Sequence, residues 1–196
     1  MKLLAKAAVE KGDRVGIVTF SNVGTVVTPL TDDYRTIMGS VIQLRADQYT
    51  NIGNGLLRAR TMLLHDNSGN KKHIILITDG QPNAALAGAL KGEDTTGHTE
   101  IKVGPRTPEE EGRGKGLVTS YKGKDWKAKE QLGTKHAIME ARKTRDKDIR
   151  ISVLLITHED ELGEWAANKI AQIGRGKYQK VTTVENMPLN ALQMFQ

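Results

Sequence analysis

The stretch KKHIILITDGQPN, residues 71–83, decides how this chain is read. Its core, HIILIT, is a short apolar run rich in β-branched side chains, and it stops abruptly at Asp79-Gly80. A run of that length without polar alternation is the pattern of a strand covered on both faces, as in a parallel sheet between helices. Asp79 then stands at the carboxyl end of a buried strand. It is a catalytic acid, a metal ligand or a plain turn residue, and other parts of the sequence must decide which.

Working outward, VGIVTF (residues 15–20) and ISVLLIT (151–157) repeat the buried-strand pattern, and a further short strand is expected over 178–184. Val26, Val27 and Leu30 around Thr28 and Pro29 make a weaker strand, which the proline places at a sheet edge. Helices are expected over 1–11, over 34–44 behind an Asp32 cap, over 134–144, over 159–173, and over 188–195 with Pro188 in the first turn. Another is expected behind a Thr50 cap, with Ile52, Leu56, Ala59 and Leu63 along one face. Strands separated by helices of this length imply right-handed crossovers. The expected fold is therefore α/β: a doubly wound, mostly parallel sheet with helices on both faces, in one domain over 1–196. Residues 84–133 form a long, charged, Gly-rich insert that leaves from the same edge as Asp79. In such sheets ligands bind outside the carboxyl ends of the strands, where Asp79, Ser21 and the Thr50 loop converge.

Composition narrows the function classes. At 38% hydrophobic over 196 residues the chain can bury one sizeable core. The absence of cysteine removes disulfide and thiolate chemistry. No run of about 18 apolar residues is present to span a membrane, and Lys6 and Glu10 interrupt any signal-peptide pattern at the start. A cytoplasmic location is expected. The net charge of +6 is concentrated: residues 113–150 carry twelve basic and five acidic side chains. That stretch has only Tyr121 and Trp126 as aromatics and no nucleic-acid signature, so a nucleic-acid-associated protein is kept as the alternative function.

Enzymatic readings find no support. A phosphatase-type aspartyl nucleophile would need a carboxylate two residues after Asp79, where Gln81 stands. The histidines at 65, 73, 98, 136 and 158 form no zinc pattern, and no serine lies in a nucleophile elbow. GRGKG, residues 112–116, has no strand before it and reads as linker. In TNIGNGL, however, Gly53 and Gly55 occupy the opening turns of a helix, where each costs about 1 kcal/mol relative to Ala. Something is expected to approach the backbone closely there.

GDRVGIVTFS, YTNIGNGLLRA and HIILITDGQPN, in this order, resemble the second strand, the metal-site threonine loop and the metal-site aspartate loop of von Willebrand factor type A (vWA) domains. TKHAIMEARK, ISVLLIT, GRGKYQKV and NMPLNAL further resemble the C-terminal half of intracellular vWA proteins that partner MoxR-type AAA+ ATPases in activating nitric oxide reductase and Rubisco, with magnesium and cobalt chelatase subunits as cousins. The resemblance implies a metal-ion-dependent adhesion site for Mg²⁺, with Thr50 and Asp79 as metal ligands and Ser21, Asn51, Gly80, Gln81 and Asn83 as surrounding binding residues. It implies a protein partner presenting an acidic group and an adaptor role with an AAA+ ATPase in metalloenzyme maturation; no membrane partner is expected, and a nucleic acid is a partner only under the alternative function. The site binds and does not cleave.

One departure stands out. The family's first strand, central in its sheet and carrying a D-x-S-x-S motif, has no counterpart here. Asp66-Asn67-Ser68-Gly69 is no substitute, since it precedes HIILIT and so falls on the opposite edge from Asp79. The chain is expected to be either part of a longer protein or a degenerate, metal-free relative. Mg²⁺ binding is expected to be weak or absent, and self-association through an open sheet is expected.

Overall fold

The computed structural model describes residues 2–44, 49–80, 82–86, 98–102, 117–121, 126–156 and 161–182. The chain begins with helix α1 (Lys2–Glu10), which buries Ala5 and Ala8 and ends at Gly12, whose φ of +79° suits a residue without a Cβ. Strand β1 (Val15–Phe20) pairs antiparallel with β2 (Gly24–Thr31). Their register slips beside Pro29, and Val26 and Val27 are exposed, as an edge strand requires. Helix α2 (Tyr34–Ile42) is capped by Asp33, not by Asp32: the Asp33 carboxylate accepts from Arg35 N–H at 3.0 Å and from Thr36 Oγ1 at 2.5 Å. Those bonds, Thr36 first, hold its carboxyl below the ordinary aspartate value.

Helix α3 (Ile52–Leu64) leads into β3 (Lys72–Thr78). Three short strands follow inside the stretch expected to be an insert: β4 (Ala85–Leu86), β5 (His98–Lys102) and β6 (Leu117–Tyr121), joined as an antiparallel sheet in the order β4-β6-β5. Helix α4 (Trp126–Arg145) starts well before residue 134. Then come β7 (Ile149–Ile156), α5 (Glu161–Ile173) and β8 (Arg175–Val181). β8 begins ahead of the expected 178 because Gly174 and Gly176 let it close on Ile151, where a Cβ at either glycine would overlap that residue. The helix expected over 188–195 lies outside the described residues.

β3, β7 and β8 form a parallel sheet, with Leu76 opposite Val153 and Val153 opposite Tyr178. β7 is its centre, and Ile151, Val153, Leu154 and Leu155 are wholly buried, as an interior parallel strand demands. Ile52, Leu56, Ala59 and Leu63 of α3, Ala137 and Ala141 of α4, and Ala167, Ile170 and Ala171 of α5 cover one face in a single core. On the opposite face of β1, Ile17 packs with Ala5 of α1 and Ile37 of α2. Helices on two faces of a largely parallel arrangement make the fold the α/β class expected. Among the described residues β1 and β3 are not hydrogen-bonded to each other, so β1-β2 and β3-β7-β8 are separate ladders.

α3 and α4 are pinned by charge as well as by packing. Glu140, nearly buried, lies 2.7 Å from Arg60 Nη1 and 2.7 Å from Lys143 Nζ, and Arg60 also donates to the Glu140 carbonyl at 3.3 Å. Removing one member of such a pair strands the other away from water. Glu140→Ala is expected to lower unfolding free energy by about 3 kcal/mol in urea titrations, and Arg60→Met with Glu140→Leu to recover most of it. Equal losses in the single and double variants would assign the effect to packing alone.

Candidate functional site

The carboxyl ends of β1 and β3 meet at the amino end of α3, and a set of amide side chains builds the junction. Asn51 N–H donates to the Ser21 carbonyl at 2.9 Å, tying the end of β1 to the start of α3. The Asn51 side chain donates to the Asn22 carbonyl at 2.9 Å and accepts from Asn54 N–H at 3.1 Å. Asn54 in turn accepts through Oδ1 from Gly24 N–H. On the other side, Thr50 N–H donates to Asn83 Oδ1 at 2.8 Å, and Asn83 N–H returns to the Thr50 carbonyl at 3.1 Å. Asn83 thus clamps the main chain of Thr50 to the loop that follows β3.

This geometry sorts the residues expected at the site. Thr50, Ser21 and Asn83 are brought together, and Asp79 lies in the turn between β3 and Asn83. Asp79 is exposed and makes no hydrogen bond or ion pair among the described residues. The Thr78 hydroxyl braces its turn by donating to the Gly80 carbonyl at 3.3 Å. Gln81 lies outside the described residues. Two expectations are corrected. The cap of α3 is Asn51, not Thr50, because its amide rather than the threonine hydroxyl reaches the first-turn N–H. Asn51 is also fully buried with both side-chain atoms engaged, so it holds the junction together and presents nothing to a ligand.

The close approach that Gly53 and Gly55 foretold comes from the protein itself. A Cβ on Gly53 would overlap the His136 ring of α4, and one on Gly55 would press on Phe20 of β1 at 3.0 Å. His136 is fully buried, neither ring nitrogen has a hydrogen-bond partner among the described residues, and burial pushes its pKa down to about 4. Sequence reasoning missed His136 as the partner, although the glycines signalled that one existed. His73, on β3, sits 2.9 Å from the Ser152 hydroxyl, and burial, then Arg150 and Lys177, lower it to about 4.

What remains at the edge is a hard-oxygen set: the Thr50 and Ser21 hydroxyls and one carboxylate, Asp79. Such oxygens suit Mg²⁺ or Ca²⁺ rather than a soft metal. No group of three or more His, Cys, Asp or Glu that could hold a metal occurs among the described residues. The donor types fit a Mg²⁺-class ion, but their number falls short of the six oxygens it takes. At the opposite, amino edge, Asp66 lies 2.6 Å from Arg14 and accepts from Ser68 at 2.6 Å. Ser68 and then Arg14 hold its carboxyl far below the ordinary value, and the Arg14 contact places Asp66 beside the start of β1, at the edge opposite Asp79.

Residues 1–81 match the family model of the von Willebrand factor type A domain. The protein BatB of Bacteroides thetaiotaomicron is structurally similar over 99% of this chain and 84% of its own, at TM-score 0.59 and 18% identity. The PilB minor pilin of Streptococcus sanguinis matches over 98% of this chain at TM-score 0.76 and 20% identity, the chain spanning 50% of that pilin's length. The vWF domain of the type V pili tip protein Mfa5 of Porphyromonas gingivalis aligns with 98% of this chain and 83% of its own, at TM-score 0.67 and 15% identity. The fold is that of a vWA-type α/β domain. Among curated proteins none matches the sequence. No described helix is long and apolar enough to cross a membrane.

Two measurements check the packing beneath the site. Gly53→Ala would gain about 1 kcal/mol of helix propensity in isolation, yet it is expected to lower the melting temperature because the new methyl meets the His136 ring. A gain would show that the ring can move aside. His136 and His73 stay neutral in the fold down to about pH 4, whereas in the unfolded chain they take up protons below about 6.5. Their contribution is therefore complete above pH 6.5 and lost as pH falls from 6.5 towards 4. Melting temperature should drop across that window, and less steeply in His136→Leu.

Proposed function

We propose that the chain is a protein-binding module whose contact site is the carboxyl edge of its sheet, where Thr50 and Asp79 serve a Mg²⁺-type ion and, through it, an acidic group of a partner. The observation that carries this reading is the two-way hydrogen bonding between Thr50 and Asn83, which keeps the threonine loop and the Asp79 turn at one place. A bound Mg²⁺ would supply net positive charge, unquenched by many carboxylates, to attract the partner's acid. Thr50 and Asp79 would hold it, with Ser21 and Gly80 beside them. The site reads as a binding site and not as a catalytic one.

The motifs after residue 133 support a more specific role, as the adaptor of a MoxR-type AAA+ ATPase in the maturation of a metalloenzyme, in the cytoplasm. The alternative, a nucleic-acid-associated protein using residues 113–150, is weakened where that stretch is described. Lys143 is paired with Glu140 and Arg145 with Asp146, each at 2.7 Å, which removes two cations from phosphate contact.

Asp79→Ala and Thr50→Ala are expected to abolish recruitment of the ATPase in pull-downs while shifting stability by no more than about 0.5 kcal/mol, since Asp79 is exposed and Asn51 does the capping. Retained recruitment with lowered melts would reduce both residues to structural parts. Calorimetry on this chain should show no saturation at low-millimolar Mg²⁺, because most oxygens would be waters without preorganisation. Tight binding would mean that a carboxylate outside the described residues joins the site.

A further inference from the structure

The cations of this chain are not spread over both edges of the sheet. Residues 20–24, 49–51 and 79–84, which build the carboxyl edge, contain no lysine or arginine. The segments that lead into β3, β7 and β8 at the amino edge carry Lys71, Lys147, Arg150, Arg175 and Lys177, all exposed. Parallel register draws these starts together: Lys72 lies opposite Ile149, His73 opposite Arg150, and Ile151 opposite Arg175. Neighbouring strands are about 4.8 Å apart, so the three starts span about 10 Å.

Local structure accounts for other cations of this edge but not for all of these. Arg142, Lys143 and Arg145 stand in the last turn of α4, where the carbonyl end of the helix favours positive charge, and Lys143 and Arg145 are already paired with Glu140 and Asp146. A lysine on the outer strand of a sheet discourages wrong pairing, which suffices for Lys177 in β8. Neither reason reaches Arg150, which is exposed in the central strand β7. Lys71, Lys147, Arg150 and Arg175 have no ion-pair partner among the described residues. The chain also keeps an arginine at position 175 with a φ of +54°, where glycine is the unstrained choice.

The charges converge behind the edge as well. The Ser152 hydroxyl lies 2.9 Å from His73 Nε2 and accepts from Lys177 N–H at 3.0 Å, which gathers His73, its register partner Arg150 and the start of β8 around one point. Burial first, then Arg150 and Lys177, favour the neutral His73 ring. Crowding of like charges is relieved by an arriving anion.

The geometry points to the amino edge of β3, β7 and β8 as a second docking surface, which receives an acidic segment of a partner polypeptide with its carboxylates on Lys71, Lys147, Arg150 and Arg175. Two observations favour a polypeptide over a nucleic acid. Asp146 and Asp148 stand exposed among the cations and repel a continuous phosphate backbone, whereas the carboxylates of a peptide can be spaced around them. Residues 65–73, 145–150 and 174–177 contain no Phe, Tyr or Trp on which bases could stack. An extended peptide advances about 3.3 Å per residue, so about four residues cross the three strand starts. The inference goes beyond the carboxyl-edge site, and neither Thr50 nor Asp79 takes part.

The test follows the fluorescence anisotropy of a labelled peptide of alternating glutamate and serine as the whole chain is added near neutral pH. Saturable binding is expected, weakening severalfold as ionic strength rises from about 0.01 M to about 0.15 M, since exposed charges are screened. Lys147→Gln, Arg150→Gln and Arg175→Gln together should lower affinity at least about tenfold. Lys6→Gln, Arg35→Gln and Lys169→Gln together remove the same charge from α1, α2 and α5 and should leave it within about twofold. The His73 ring resonances of the parent should move as peptide is added, and the Asp79→Ala chain should bind like the parent, which separates this result from failure of the carboxyl-edge reading. Absence of binding, or His73 signals that stay in place, would overturn the proposal. So would equal losses in the two triple variants, since net charge alone would then explain the binding. Tighter binding of a single-stranded DNA of equal charge, lost in the first triple variant, would overturn it too and assign the surface to nucleic acid.

Discussion

Among the described residues β1 and β3 share no hydrogen bonds, and α3 packs across both and holds them in register. α3 does this with three kinds of contact at once. Its apolar stripe, Ile52, Leu56, Ala59 and Leu63, joins residues of β1 and β3 in one core. Its amino end is knotted by Asn51 and Asn54 to the loop after β1. Its middle carries Arg60, paired with Glu140 of α4. Because these contacts are buried, their geometry is stiff, and Thr50, immediately before the helix, inherits that stiffness through Asn83.

The same constraint explains the glycines. In an isolated helix Gly53 and Gly55 are a loss of about 1 kcal/mol each. Here they let α3 settle against Phe20 on one side and the His136 ring on the other. A ring packed that closely, without hydrogen-bond partners, is held neutral, so the packing that positions the site also makes the fold sensitive to acid.

The sequence was most legible where burial imposes a one-sided pattern. HIILIT, VGIVTF and ISVLLIT were readable as strands because each is an apolar run too short for a helix, although only β7 proves covered on both faces: β3 alternates buried and half-buried positions, and in β1 Ile17 alone is fully buried. Less legible were the features that depend on which polar neighbour wins a local contest. Asp32 and Asp33 are both plausible caps, and Thr50 and Asn51 are too; only backbone direction decides between them. The strands within 84–133 were hidden because β4 is two residues long and no apolar run announces it. At the site, Asp79 and Thr50 were found from position and resemblance, whereas the clamp made by Asn83 required the fold, since thirty-three residues separate it from Thr50.

Both β1 and β3 deliver their carboxyl ends to the amino end of α3, through the Ser21–Asn51 and Thr50–Asn83 bonds. Hard-oxygen ions gain affinity chiefly from the number of preorganised oxygens, and the described residues offer one carboxylate and two hydroxyls at this edge. The junction therefore fixes where a partner's acidic group would be met, while an ion held there by these residues alone would keep most of its coordination as water.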